Sequence, residues 1–348
     1  MAVAMSGGVD SSVCAYLVLD AGYDAFGATM KLCDPSVTTN DGNANREIQD
    51  AAKICRFLNI PHKLYDFETE FRKNVIDNFV NSYINGKTPN PCVECNRYLK
   101  FGALLDAVKN DGADFIATGH YARAERDVNG RFLLRKAADS SKDQSYVLWS
   151  LDQNKLSRCL FPLGNYTKSE IRSIASEKGF INARKSDSQD ICFVPDGDYA
   201  SFITNYSGYI PKPGNYIDEK GNILGTHKGV IHYTVGQRKG LGISMGRHIF
   251  VCDKNPENNT VTLGDEDRLF KSRVVIKNIN LIPFDKLSSP IKITAKVRYR
   301  QRAVPALAEQ TGNDEITLMF DSPQRAPAPG QSAVMYDGEY VIGGGIIT

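Results

Sequence analysis

The sequence predicts an α/β protein: a doubly wound parallel sheet in its first half, followed by a β-rich second half. Three observations predict it. Residues 1–120 alternate short apolar runs with amphipathic stretches over short connections, the pattern of parallel strands covered by helices on both faces. After about residue 196 the texture changes to alternating strands separated by Gly- and Asn-rich turns. At 348 residues the chain also exceeds one ordinary core, so two or three domains are expected.

Composition narrows the function classes. No apolar run approaches the roughly 20 residues of a membrane span, and no signal-peptide pattern is visible, so a soluble cytoplasmic protein with no membrane partner is expected. Eight cysteines without a secretion signal point to buried thiols with a metal-binding or catalytic subset rather than a disulfide scaffold. A net charge of +2 does not announce a nucleic-acid binder, although an even balance leaves room for local basic patches.

Taken in order, Ala2 to Met5 is a short buried strand. S-G-G-V-D-S-S follows as a turn without bulky side chains, and a helix from Ser12 to Leu19 carries Val13 and Leu17 on one stripe, with Ser11 or Ser12 as its cap. A Gly-rich strand-to-helix turn is an anion site, because free N–H groups and the positive end of the helix dipole point to one place. "YDAFGATMKL" and "PHKLYDF" read as strands. "NREIQDAAKICRFLNI" reads as a helix with Ile48, Ala52, Cys55 and Leu58 as its stripe, "EFRKNVIDNFVNSYI" as another, and "ADFIATGHYA" as a strand ending in a Gly-His turn. "TKSEIRSIASEKG" has a T-x-x-E capping box and a terminal Gly. "GNYIDEKGNILG" and "DKNPENNTVTLG" read as hairpins, and from 291 Ile291, Ile293, Ala295 and Val297 alternate onto one face. Domain boundaries are placed at 1–196, 197–270 and 271–348.

The opening turn is neither a Walker A loop nor a dinucleotide fingerprint. Gly86-Lys87-Thr88 has Asn81 where the first Gly should stand, and "GLGISMG" at 240–246 has the wrong spacing. An acid, Asp10, in an anion-binding turn implies a divalent cation, Mg²⁺. In "TPNPCVECNRYLKF" the prolines fix a loop and a helix is expected from Asn96. Cys92-x-x-Cys95 then lies at its N-terminus, where the dipole favours thiolate. The pair reads as a redox couple, half a zinc site or a catalytic thiol. Cys192 sits in a short apolar run, where a plain buried thiol is the default. In "KITAKVRYRQR" Lys292, Lys296, Arg298 and Arg300 fall on alternate positions, hence on one strand face, suited to phosphates.

S-G-G-V-D-S-S after the first strand resembles the PP-loop of the N-type ATP pyrophosphatases. With P-N-P-x-x-x-C-N, "ATGHYA", "KDQSY", "S-x-D-I-C-F", "YTVGQRKGLGI", "RYRQ" and "PGQSAV…GGGII" in order, the whole chain resembles the tRNA-specific 2-thiouridylases. The resemblance implies a HUP-like catalytic domain, a small central β-rich domain and a C-terminal β-barrel that contacts tRNA. It implies adenylation of the wobble-uridine carbon-2 oxygen by ATP, because oxide is a poor leaving group and AMP a good one, followed by sulfur insertion. ATP contacts are expected at Ala4, Met5, Ser6, Gly7, Gly8, Val9, Asp10, Ser11, Ser12, Met30 and Gly119, with Asp10 on Mg²⁺. Asn90, Pro91 and Cys92 are expected at the target base in the anticodon region. His120, Lys142, Asp143, Gln144, Arg298, Tyr299 and Gln331 are expected on tRNA. Cys192 is expected to carry a persulfide from a sulfur-relay protein, with Cys95 as its partner.

Many members carry Asp where this chain has Cys92. The resulting trio Cys92, Cys95 and Cys192 suggests a 4Fe–4S cluster whose open iron takes inorganic sulfide, and the expectation leans towards that route. Two rivals remain: another PP-loop tRNA-modifying or amide-forming ligase, which would not need Cys95 and Cys192, and a zinc-stabilised RNA-binding module, which would release no pyrophosphate.

Overall fold

The computed structural model describes residues 1–33, 43–185 and 191–348. Its first layer is a five-stranded sheet in which β1 (Ala2–Ala4), β2 (Phe26–Lys31), β3 (His62–Asp66), β4 (Ile116–Ala117) and β7 (Cys159–Leu160) run parallel in the order β3-β2-β1-β4-β7. The strand order reverses between β1 and β4, and in open α/β sheets the ligand crevice lies beyond the strand ends at that switch. The connecting helices are α1 (Val9–Asp20), α2 (Asn43–Phe57), α3 (68–84) and α4 (91–110), followed by α5 (Gln153–Leu156), α6 (Lys168–Glu177) and α7 (Tyr199–Ser207).

Two helix starts differ from the expectation. The first helix begins at Val9 rather than Ser12, with Gly8 as N-cap and no side-chain cap. The Ser11 and Ser12 hydroxyls instead donate back to the Gly8 carbonyl (both 3.0 Å), so no serine oxygen competes for the first N–H groups of the helix. Likewise α4 starts at Pro91, not Asn96, because the Asn90 side chain accepts from the Cys92 N–H (3.2 Å) and Pro at the first position lacks the N–H that a helix start leaves unpaired. Both halves of the capping box at Thr167 and Glu170 form.

A hairpin that periodicity did not flag, β5 (Ala122–Arg126) and β6 (Phe132–Lys136), turns at Asn129-Gly130 and joins the C-terminal sheet where Tyr340 meets Arg135. That sheet closes into a six-stranded barrel. Strands β12 (Phe270–Leu281), β15 (Glu315–Arg325), β14 (Val304–Gly312), β13 (Ile291–Lys296), β16 (Ser332–Asp337) and β17 (Tyr340–Ile347) are neighbours in that order, and β17 pairs back onto β12. Between sheet and barrel, β8 (Gly214–Ile217) with β9 (Ile223–His227), and β10 (Phe250–Asn255) with β11 (Thr260–Gly264), form the expected hairpins of a separate four-stranded sheet.

Trp149 joins the first layer to the barrel. Its indole N–H donates to Ser332 Oγ (3.1 Å), the Tyr146 hydroxyl donates to the Ser332 carbonyl (2.7 Å), and the ring lies on Gly344, where a Cβ would come within 2.9 Å. One apolar cluster therefore runs from Ala2 and Ile116 through Trp149 to Val334 and Val341. The basic row is shorter than expected. Strand β13 ends at Lys296, so Lys292 and Lys296 share its outer face while Arg298, Tyr299 and Arg300 lie in the bend that follows.

Candidate active site

Beyond the switch point lies a cavity of about 200 Å³, lined by Ala4, Met5, Ser6, Asp10 and Ser11 from the first loop, Met30 from β2, and Gly119 and His120 after β4, together with Ala28, Lys100, Leu104, Thr118 and Gln144. Two glycines make the close approaches. Gly7 sits at φ +68° and a Cβ there would meet the Glu47 carbonyl at 2.5 Å; a Cβ on Gly119 would come within 2.9 Å of the Asp10 backbone. Of the expected nucleotide contacts, Gly7, Gly8, Val9 and Ser12 stand behind the wall. Val9 is in the apolar core, and Ser12 is buried, accepting from Asn182 Nδ2 (2.9 Å).

Asp10 does not present an open carboxylate. Lys168 Nζ donates to both its oxygens (2.7 and 2.9 Å), and the Tyr121 hydroxyl donates to Oδ1 (2.8 Å). A resident Mg²⁺ on Asp10 therefore does not fit this arrangement, because the lysine already supplies the positive charge. Lys168, Tyr121, Asn182 and Lys185, the last two donating to the Gly7 carbonyl (3.0 and 3.3 Å), escaped the sequence argument because each meets the loop only through tertiary contact.

The thiols gather at α4. Cys92 is exposed on its first turn, and Cys95 is half-buried where the helix widens to π geometry over Cys95–Ala103. Cys192 returns from nearly a hundred residues away. The apolar run around it is its anchor: Phe193 is buried edge-on to Phe71 (5.7 Å) and Phe79 (5.3 Å), leaving Cys192 exposed. The expected depression of the thiol pKa by the helix end is not what dominates. Crowding by protein pushes Cys92, Cys95 and Cys192 up, with Lys100 pulling each back. For Cys192 the neighbouring Cys95, Cys92 and Cys33 add to the rise. Cys33, which the sequence argument missed, is pushed up to about 12 by burial, then by Glu68 and Cys95, and packs on the same apolar cluster as Cys95. Among the described residues no three His, Cys, Asp or Glu side chains converge closely enough to hold a single metal ion, a tighter arrangement than the separate irons of a 4Fe–4S cluster ask of Cys92, Cys95 and Cys192.

The residues expected on tRNA divide in two. His120 lines the cavity, sharing a hydrogen bond with Thr118 Oγ1 (2.7 Å), and burial with Lys100 nearby keeps its imidazole neutral. Gln144 also lines it while its Oε1 accepts from the Tyr121 N–H (2.9 Å), and Lys142 is half-buried on the same segment. Tyr299 is 39% exposed, packs tilted against Tyr146 (5.6 Å) and lies close enough to Cys92 for a thiolate there to push its pKa up, so the barrel reaches the thiols. The other three are spent internally. Buried Asp143 accepts from the Ala137 and Ser145 N–H groups and the Ser145 hydroxyl. Arg298 Nη2 donates to the Val235 and Ala326 carbonyls (3.0 and 2.8 Å). Gln331 Nε2 donates to the Thr88 and Pro89 carbonyls (2.9 and 3.3 Å), tying the loop before Asn90 and Pro91 to the barrel.

Against known families, residues 1–196 match the tRNA methyl transferase HUP domain, 200–265 the tRNA methyl transferase PRC-barrel domain and 271–347 the aminomethyltransferase beta-barrel domain. The chain is 47% identical over 350 residues to the tRNA-specific 2-thiouridylase MnmA of Lachnoclostridium phytofermentans, covering 99% of this chain and 98% of the relative. It is 46% identical over 349 residues to that of Clostridioides difficile, covering 99% and 97%. Among solved structures, a 4-thiouridine synthetase in complex with RNA and ATP overlaps 56% of this chain and 45% of its own at a TM-score of 0.38 and 21% identity, too low a likeness to bear on this site. The domain descriptions speak of methyl transfer, but the full-length relatives and the gathered thiols speak of sulfur.

Proposed function

Because the chain belongs to the tRNA-specific 2-thiouridylase family, we propose how its own residues divide that family's reaction. The activity is ATP-dependent 2-thiolation of a tRNA uridine: adenylation of the carbon-2 oxygen, then sulfur insertion, giving 2-thiouridine, AMP and pyrophosphate. Departing phosphates lie against Ser6, Ser11 and the first N–H groups of α1, where helix dipole and hydroxyls favour anions. Asp10 lines the same cavity, its carboxylate held in place by Lys168.

Sulfur travels by the persulfide route. The terminal sulfur of a Cys192 persulfide attacks carbon 2, and AMP leaves with the electron pair of the carbon–oxygen bond. Cys95 thiolate then attacks Cys192 Sγ, breaking the sulfur–sulfur bond. The transferred sulfur stays on the uridine, and a Cys95–Cys192 disulfide forms that an external dithiol reduces. The observation supporting this division is that Phe193 anchors Cys192 close enough to Cys95 to feel its charge, and Cys95 lies on the helix from which Lys100 enters the PP-loop cavity. The donor of the persulfide is a sulfur-relay protein, and the tRNA is engaged through its anticodon region. Exposed Arg238 and Lys239, with Arg247 and His248 around an open cavity of about 540 Å³, offer a phosphate-binding face on the central sheet.

The test is Cys92→Asp with iron and sulfide analysis after anaerobic purification. An iron-free variant that still makes 2-thiouridine supports the route. Activity lost together with bound iron overturns it in favour of a cluster.

A further inference from the structure

Lys100 is a cation without a counter-charge among the described residues. It projects from the π-wound part of α4, is half-buried, and lines the nucleotide cavity beside Asp10 and Ser11. Asp10 is already paired with Lys168, and among the described residues Lys100 makes no ion pair and no hydrogen bond. Removing an ammonium partly from water without a carboxylate partner costs free energy that nothing in the fold returns. Such a group is explained when the missing partner is a transient anion.

Two anions arise at this place. One is the phosphoryl group of ATP as pyrophosphate departs and AMP forms. The other is the sulfur nucleophile. The field of Lys100 acts on Cys92, Cys95 and Cys192 alike, and also on His120, opposing the burial that keeps these thiols protonated. The π-helical widening over Cys95–Ala103 adds a residue to the turn between Cys95 and Lys100, so the helix presents both toward the site.

We infer that Lys100 is a catalytic residue shared by both half-reactions, its ammonium stabilising the transferring adenylyl phosphate first and the sulfur anion at the thiols second. Only the anion it faces changes between the two steps. This rests on the 2-thiolation reading above and adds to it a residue that couples the ATP cavity to the sulfur chemistry. Lys168 does not duplicate it, since its charge is committed to Asp10.

The test uses the full-length protein with ATP, cognate tRNA and a persulfide donor, comparing wild type with Lys100→Met and Lys100→Arg. Two readouts are taken: AMP and pyrophosphate formation, and site-resolved alkylation of each cysteine by iodoacetamide at a fixed pH of about 8. In Lys100→Met, kcat for pyrophosphate release falls about a hundredfold with a smaller change in KM for ATP, the size of a lost oxyanion partner. Alkylation of Cys95 and Cys192 slows by about threefold or more as the thiolate fraction drops. Cys252, whose basic neighbours are Lys271 and Arg268, keeps its rate and serves as the internal control. Lys100→Arg restores most of both, which a packing role for the lysine stem would not require. Adenylation at wild-type rate in Lys100→Met, or unchanged alkylation of Cys95 and Cys192, overturns the shared role. Wild-type protein that makes neither AMP nor 2-thiouridine would overturn the 2-thiolation reading instead, so the two failures are distinguishable.

Discussion

Replacing Lys254 by methionine is expected to stabilise the protein at neutral pH, by an amount that vanishes in alkali. Lys254 lies on β10, only 8% exposed, with its ammonium donating to the Tyr233 carbonyl (2.8 Å) and resting 5.8 Å from the Tyr83 ring of α3. Burial lowers its pKa from an ordinary 10.5 to about 8, with Asp253 opposing the fall. Between those values the unfolded chain is protonated and the folded one is not, so stability rises with pH across that window; below pH 8 the whole burial cost stands. The fall in pKa corresponds to about 3 kcal/mol. Methionine fills the same space without the charge but leaves the Tyr233 carbonyl unpaired, which takes back about 1 kcal/mol. The net gain at pH 7 is about 2 kcal/mol, shrinking to about zero near pH 9.5. Urea unfolding of wild type and variant, followed by circular dichroism at both pH values, measures that difference. A variant less stable than wild type at pH 7, or a difference that does not change with pH, would refute the reasoning.

Asp10→Asn removes the charge that holds Lys168 and should slow pyrophosphate release about a hundredfold while tRNA affinity stays within about twofold; release at wild-type rate would remove Asp10 from the adenylation machinery. Gly119→Ala drives a methyl into the first turn of α1 and should weaken ATP binding at least about tenfold in a calorimetric titration without unfolding the chain. Arg238→Ala should lower the slope of log tRNA affinity against log salt by about 0.7–0.9, one phosphate's worth. Arg298→Ala should leave that slope unchanged and instead cost about 2 kcal/mol of stability, because two carbonyls lose their donor.

What could be read from the sequence was what local chemistry dictates. The PP-loop is recognisable because one short segment must supply a left-handed Gly7, small hydroxyls and a helix start, all in sequence order. The capping box at Thr167 and the hairpins around Gly221 and Asn259 are legible for the same reason. The β5–β6 hairpin carried its signal in Asn129-Gly130, but its partner strand, β17, lies two hundred residues away, and no periodicity announces such a pairing. The site residues that escaped are those defined by what they meet rather than what they follow. Lys168 opens a helix like many surface lysines and becomes functional only because α6 packs on α1. Cys33 shortly follows β2 and joins the thiols only through its tertiary neighbours Cys95 and Cys192.

Charge patterning failed in an instructive way. Lys292, Lys296, Arg298 and Arg300 have strand spacing, but spacing states which face a residue occupies only while the strand continues, and β13 stops at Lys296. Beyond it, Arg298 turns inward to join the bend after β13 to the segment before β10 and to the end of β15, through the Val235 and Ala326 carbonyls. Gln331 does the corresponding work for the loop that leads into the helix carrying Cys92, and Tyr146 with Trp149 for the segment carrying Gln144. Three of the motifs that mark the family along its length are thus hydrogen-bonded seams between the barrel and the parts it touches. The seams have a chemical purpose. The parallel sheet holds the nucleotide, but Cys92 and Tyr299 come from elements whose relative position the barrel fixes. Adenylation and sulfur transfer must act on one carbon–oxygen bond, where a misplacement of about 1 Å costs orders of magnitude in rate. Loosening Gln331 should therefore impair sulfur transfer more than pyrophosphate release, since the nucleotide cavity is built without it.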